Sequence, residues 1–252
     1  MNLNPAQGYM YEFITHTWNP ISGKCPHDCS YCYMKQEKEQ SQIHLKEDEL
    51  KGSFNPNHFI FIGSGTDVFA DDVPANWIKE VLDYCVNNTN SGLFEDFFSE
   101  EGKTRFMLQT KNPKRIMEFI NHPLLDPERN QVVICTTLET NRFYPEIMNN
   151  APHPEERAER MAKISDKGLP TYVTLEPIMD FDLDEFEELI KKCNPVQVNI
   201  CYNTNFRVSL PEPSTDKVVK LIERLIPYTK IHLKENSKDI KAKLDIRKIK
   251  LE

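Results

Sequence analysis

Lys24-Cys25-Pro26-His27-Asp28-Cys29-Ser30-Tyr31-Cys32-Tyr33 sets three cysteines at a C-x₃-C-x₂-C spacing, with an aromatic residue directly before the last. Three thiolates in one short loop suit three iron corners of a 4Fe-4S cube, whereas a closed electron-transfer cluster takes a fourth cysteine. An iron without a protein ligand has an open position, as a catalytic zinc does, and can take up a cofactor or substrate. The other cysteines, Cys85, Cys135, Cys193 and Cys201, stand singly and far apart, without the second C-x₂-C or His pair of a zinc site. Residues Met1-Asn2-Leu3-Asn4-Pro5 carry neither the basic start nor the apolar core of a secretory leader. The seven cysteines are therefore expected as reduced thiols in the cytoplasm rather than as disulfides.

With 252 residues and 39% hydrophobic content, the chain can bury a full core. Its longest apolar runs, Phe59-Ile60-Phe61-Ile62 and Val132-Val133-Ile134-Cys135, are strand-sized and too short for a membrane span. A net charge of -8 argues against a broad nucleic-acid-coating surface. A local basic patch remains open in the C-terminal stretch holding Lys230, Lys234, Lys238, Lys241, Lys243, Arg247, Lys248 and Lys250, although Glu235, Asp239 and Asp245 dilute it. A solvated terminal helix or tail explains those lysines as well.

Short β-rich runs alternate with amphipathic patterns, the sequence form of β-α units around a parallel sheet. Strands are expected at Tyr11 to Thr17, Phe59 to Gly63, Arg105 to Thr110, Gln131 to Thr136, Thr171 to Leu175 and Pro195 to Cys201, with Tyr228 to Leu233 as a further strand or edge element. A polar, helix-favouring stretch runs from Met34 to about Leu50. Helices are expected after Pro74, from Asn112-Pro113 through Ile120, near Pro154, from Asp182 through Ile190, and over Thr215 to Leu225. Cys85 falls on the apolar face of the first of these and reads as core. Six β-α units predict an α/β partial (β/α)₆ TIM-like barrel in one domain, with a core over 11–203 and a C-terminal helix and basic tail over 204–252.

Ligands of parallel β/α folds gather at the carboxyl ends of the strands. The residues there are Gly63-Ser64-Gly65-Thr66-Asp67, Thr110-Lys111, Thr136-Thr137-Leu138-Glu139, Glu176-Pro177 and Tyr202-Asn203. Glycines permit close backbone approach, and the polar side chains can bond an amino acid moiety or a ribose. Ordinary loop polarity is the competing explanation for each. His27 and Asp28 either tune a cluster through hydrogen bonds or shape the turn, and Trp18 reads as a structural aromatic beneath the loop.

The cysteine spacing and Tyr31 resemble the cluster signature of the radical S-adenosylmethionine (radical SAM) superfamily. Thr17-Trp18-Asn19-Pro20-Ile21-Ser22-Gly23, Gly65-Thr66-Asp67, Leu108-Gln109-Thr110-Lys111 and Leu175-Glu176-Pro177 look like a phage-associated group of radical SAM proteins, itself distantly similar to spore photoproduct lyase. The likeness runs from about Trp18 to about Tyr202. It implies a 4Fe-4S cluster on Cys25, Cys29 and Cys32 whose open iron binds S-adenosylmethionine, reductive cleavage to a 5′-deoxyadenosyl radical, and hydrogen abstraction from an organic substrate. By the same likeness Lys111 pairs with the cofactor carboxylate, Ser64, Gly65, Thr66 and Asp67 line its amino group or the substrate, Thr136 or Thr137 meets the ribose, and the Tyr31 main chain meets the adenine.

The resemblance further implies an external one-electron donor of flavodoxin or ferredoxin type, and a nucleobase or nucleotide substrate in nucleic acid or free. Spore photoproduct lyase returns a hydrogen atom from a cysteine beyond its cluster loop, yet here no cysteine lies between Cys32 and Cys85. Base modification is thus favoured over lesion repair, with Cys201, Cys135 or Tyr202 as candidate hydrogen donors and Glu176 as a candidate proton-moving carboxylate. The alternatives are a non-enzymatic iron-sulfur redox or sensor protein, a zinc-bound interaction module, and a radical SAM enzyme acting on a peptide or small molecule.

Overall fold

Apolar runs buried on both faces become one mostly parallel sheet in the computed structural model, which describes residues 1–8, 10–37, 39–89, 103–205, 207–235 and 237–247. The strands are β1 (Asn4–Pro5), β2 (His16–Trp18), β3 (Ile21–Ser22), β4 (His44–Leu45), β5 (Phe59–Ile62), β6 (Arg105–Thr110), β7 (Val132–Thr137), β8 (Thr171–Leu175), β9 (Gln197–Ile200) and β10 (Lys230–Leu233). Eight share one sheet in the order β1-β2-β5-β6-β7-β8-β9-β10, while β3 and β4 form a separate antiparallel pair. Each neighbouring pair from β2 to β10 is parallel, and β1 runs antiparallel on the β2 edge. The sheet is the open, partial-barrel type expected, with β10 added at the edge.

Helices α1 (Ala75–Asn88), α2 (Pro113–Ile116), α3 (Pro145–Met148), α4 (Pro154–Ser165), α5 (Leu183–Lys192), α6 (Thr215–Leu225) and α7 (Lys238–Ile246) follow in chain order. Because successive strand residues point to opposite faces, Ile60, Ile62, Leu108 and Ile134 pack with helical Ile78, Leu82, Ile116 and Met161. Phe59, Phe61, Met107, Val133 and Cys135 face the other way, onto Tyr11 and Ile14. Such two-sided burial is why these strands read as unbroken apolar runs. Cys85 lies in the main core as expected, and Trp18 packs against Phe54 and Tyr84.

Several boundaries differ from the sequence expectation. The first parallel strand is only His16–Trp18, because Tyr11 and Ile14 close a turn and spend their apolar surface on the inner face of the sheet. Among its described residues Met34 to Leu50 holds no α-helix; it forms 3-10 turns at Tyr33–Gln36 and Glu47–Glu49 around β4, since its charged residues offer no continuous apolar stripe to bury. The segment after Asn112 is α-helical only to Ile116 and continues as a 3-10 turn over Met117–Phe119.

Part of the C-terminal positive charge is paired locally. Lys243 and Arg247 pair with Asp216, Arg247 also with Glu223, and Ile240 and Leu244 of α7 are buried. Lys248 and Lys250 lie outside the described residues. Among the described residues no helix is long and apolar enough to cross a membrane.

Candidate functional site

The cysteine loop has little regular structure, so its backbone polar groups must find partners elsewhere. The end of α3 and the segment just after it supply them. Ser30 N donates to Ile147 O at 2.8 Å, Asn149 Nδ2 to Asp28 O at 2.5 Å, Asn150 Nδ2 to Pro26 O at 3.0 Å and Asn150 N to His27 O at 3.1 Å. Asp28 adopts the left-handed conformation (φ 51°) and pairs with Lys35 at 3.1 Å, so it shapes the turn.

Cys25, Cys29 and Cys32 are free thiols on the wall of a cavity of about 820 Å³, within the size range of ligand sites. Burial, then the Asp67 charge, pushes the Cys25 thiol up to about 12, and burial raises Cys32 as well. Metal binding at such thiols displaces their protons. Among the described residues no three His, Cys, Asp or Glu converge on a single ion. No fourth cysteine lines the cavity among the described residues: Cys85 and Cys193 lie in the main core and Cys135 under the sheet's inner face. The soft, three-thiol donor set therefore fits a site-differentiated 4Fe-4S cluster.

The turn after β5 forms the next wall. Gly63 has φ 78°, and an added Cβ would lie 2.6 Å from Val68 Cγ2 and 2.8 Å from Thr66 O. At Gly65 the same atom meets nothing nearer than 3.6 Å, so the tight approach belongs to Gly63. Asn19 Oδ1 accepts from Gly65 N at 3.0 Å and Ser64 Oγ at 3.1 Å, Tyr33 donates to Ser64 O at 2.7 Å, and Thr66 Oγ1 donates to Gly23 O at 2.7 Å. Asp67 accepts from Thr110 Oγ1, Lys111 N and Phe69 N at 2.8–2.9 Å, and its Oδ2 lies 2.8 Å from His27 Nε2. Burial would raise this carboxyl, but these hydrogen bonds, His27 foremost, outweigh burial and hold it below the usual range. Ser64, Gly65, Thr66 and Asp67 thus all line the cavity while bracing its wall.

Lys111 enters from the end of β6. Its Nζ donates to Tyr31 Oη at 2.6 Å and Glu139 Oε1 at 2.5 Å. Glu139 is fully buried and also accepts from Tyr31 Oη and, at 2.7 Å, from Arg157 Nη1. The Tyr31 carbonyl accepts from Asn205 Nδ2 at 3.4 Å. Of the two threonines ending β7, Thr137 lines the cavity, whereas Thr136 is buried and donates to Thr110 O at 2.7 Å.

Just after β8, Glu176 also lines the cavity; its Oε1 accepts from Lys234 Nζ at 2.6 Å and its Oε2 from Tyr11 Oη at 3.0 Å. Tyr11 also meets Thr174 Oγ1 at 2.8 Å, and burial, then the Glu176 charge, raises its phenol. Tyr202 lines the cavity and bonds Thr215 Oγ1 at 3.4 Å. Cys201 does not line it; the thiol is buried, with Sγ 3.2 Å from Tyr202 O.

No family model matches the chain, and no curated protein matches it. Solved structures do. The fold is similar to that of spore photoproduct lyase. A doubly substituted form of that enzyme, with bound AdoMet (S-adenosylmethionine) and dinucleoside spore photoproduct, aligns with TM-score 0.54 at 13% identity over 88% of this chain and 64% of its own. A cysteine-to-alanine form gives 0.54 at 14% over 88% and 64%, and a tyrosine-to-phenylalanine form 0.51 at 12% over 90% and 66%. The chain thus spans just under two thirds of spore photoproduct lyase.

Arg157, Asn149, Asn150 and Tyr11 gave no site signal in the sequence, and Asn19 stood out only as part of the Thr17-to-Gly23 stretch. Arg157 sits in Pro154-Glu155-Glu156-Arg157-Ala158-Glu159-Arg160, which reads as a solvated helix face. Lys234 read as part of a basic tail, and only the sheet geometry turns it onto Glu176.

Proposed function

We propose that this chain is a radical SAM enzyme acting on a nucleobase or nucleotide, by modification rather than lesion repair. One observation carries the reading: Cys25, Cys29 and Cys32 share a cavity with residues that follow β5, β6, β8, β9 and β10, and no fourth cysteine of the described residues reaches it. A cluster on these thiols, with S-adenosylmethionine bound, supplies an electron and a 5′-deoxyadenosyl radical for hydrogen abstraction. The AdoMet and dinucleoside ligands of the similarly folded spore photoproduct lyase support both the cofactor and the substrate class.

In this reading Lys111 presents its ammonium to the cofactor carboxylate, with Glu139 and Tyr31 fixing its direction. The Ser64–Asp67 wall positions the amino group, Thr137 faces the ribose, and the floor of buried Tyr11 and half-buried Glu176 limits water. Tyr202 takes the hydrogen-donor role ahead of Cys201, because it lines the cavity and Cys201 does not. The electron comes from a flavodoxin- or ferredoxin-type donor in the cytoplasm, and kinship with the phage-associated group belongs to the same proposal. A closed four-cysteine redox carrier fits less well, for want of the fourth thiol.

Anaerobic reconstitution with iron and sulfide, followed by dithionite and S-adenosylmethionine, should yield 5′-deoxyadenosine. Cys25→Ala, Cys29→Ala and Cys32→Ala should each abolish it. Product that persists in these variants, or zinc in place of iron, would overturn the assignment.

A further inference from the structure

Gln109, the fifth residue of β6, lines the cavity with its carboxamide almost unclaimed. Tyr11 Oη lies 3.5 Å from its Oε1, and its Nε2 lies 3.5 Å from Thr137 Oγ1, both at the outer limit of hydrogen bonding. The groups around it are committed more tightly: Tyr11 to Thr174 and Glu176, Glu176 to Lys234, Asp67 to Thr110 and Lys111. A carboxamide sets an acceptor beside a pair of donors. That array complements the donor-acceptor edge of a planar amide or amino heterocycle, as when glutamine pairs with adenine.

We infer that Gln109 reads the hydrogen-bonding edge of a nucleobase-like ring. The inference rests on the proposed function and names the residue that meets the base. Gln109 is placed as a specificity residue, not as a participant in hydrogen abstraction.

Calorimetric titration of the reconstituted protein with S-adenosylmethionine, without reductant, tests it with uridine and 3-methyluridine as probes. Uridine should bind about tenfold more tightly than 3-methyluridine, whose N3 has no proton to donate, the scale of one good base contact. Gln109→Met should remove that preference, whereas a merely structural role would weaken both nucleosides alike and leave it unchanged. Equal binding of 3-methyluridine, an unchanged preference in Gln109→Met, or no nucleoside binding would each overturn the inference. Formation of 5′-deoxyadenosine by the unsubstituted protein separates the two levels. Product with the wrong binding pattern removes this inference alone, and no product removes the proposed function.

Discussion

His27 and Asp67 lie 40 residues apart in sequence, and their side chains meet at 2.8 Å with both buried. The contact joins the cysteine loop to the turn after β5, so the two segments carrying most of the candidate site residues are fastened to each other. Thr66 and Gly23 repeat the link through Oγ1 and a carbonyl at 2.7 Å.

His27→Ala should therefore loosen the loop that carries the thiols. Asp67 keeps its bonds from Thr110, Lys111 and Phe69, so the cost should be the one charge-assisted contact, about 2 kcal/mol. Urea unfolding should show that loss, and iron content after reconstitution should fall below that of the unsubstituted protein. Full iron loading at unchanged stability would show that the contact does not brace the loop.

Glu139 makes stability depend on acid pH. Burial would raise its carboxyl, but Arg157, then Lys111, outweigh burial and bring it down to about 2 from an ordinary 4.5. A depressed carboxyl contributes stability that is complete above its unfolded value and disappears as pH falls through the folded one. The unfolding free energy should thus decline between about pH 4.5 and 2. Glu139→Gln should flatten that decline and, near neutrality, cost about 3–5 kcal/mol by leaving the buried Arg157 and neighbouring Lys111 without their counter-charge. Urea titrations across this pH range check both parts.

The sheet and most of its helices were legible because two-sided burial writes long apolar runs into β5, β6 and β7, and because Pro113 and Pro154 mark helix starts. The cysteine loop was legible from spacing alone. What holds it was not: Asn149 and Asn150 act through hydrogen bonds to carbonyls more than a hundred residues away, and no local pattern separates them from ordinary loop asparagines. Tyr11 was hidden for another reason, since an apolar run near an edge reads equally as a strand or as a plug beneath one. Thr136 and Thr137 show the limit in miniature. Adjacent residues on a strand face opposite ways, and register alone decides that Thr137 meets the cavity.

Lys111→Ala should separate cofactor binding from cluster assembly. The ammonium bonds Tyr31 and Glu139, neither of which carries a thiol, so iron content should hold. Loss of a charge-assisted contact should weaken S-adenosylmethionine binding about tenfold, read by the change in the electron paramagnetic spectrum on titration with the cofactor. Unchanged affinity would assign Lys111 to bracing Glu139 alone.

Gly63 and Gly65 make a matched pair two residues apart on the same wall. At Gly63 a methyl group must clash with Val68 Cγ2 at 2.6 Å and the Thr66 carbonyl at 2.8 Å, on a backbone with φ 78°. Such a left-handed position costs a non-glycine residue about 1–3 kcal/mol, and the Thr66 carbonyl is main chain, which cannot swing aside as a side chain end can. At Gly65 the methyl meets Met34 Cε at 3.6 Å, an ordinary contact. Gly63→Ala should therefore lower thermal stability and displace the turn that Thr66 and Asp67 tie to the cysteine loop, reducing iron uptake with it. Gly65→Ala should fold like the unsubstituted chain while adding bulk to the cavity wall, so weaker S-adenosylmethionine binding at full iron content is its expected signature. Equal stability of the two variants would mean that the turn is free to rearrange, and that the cysteine loop does not depend on it.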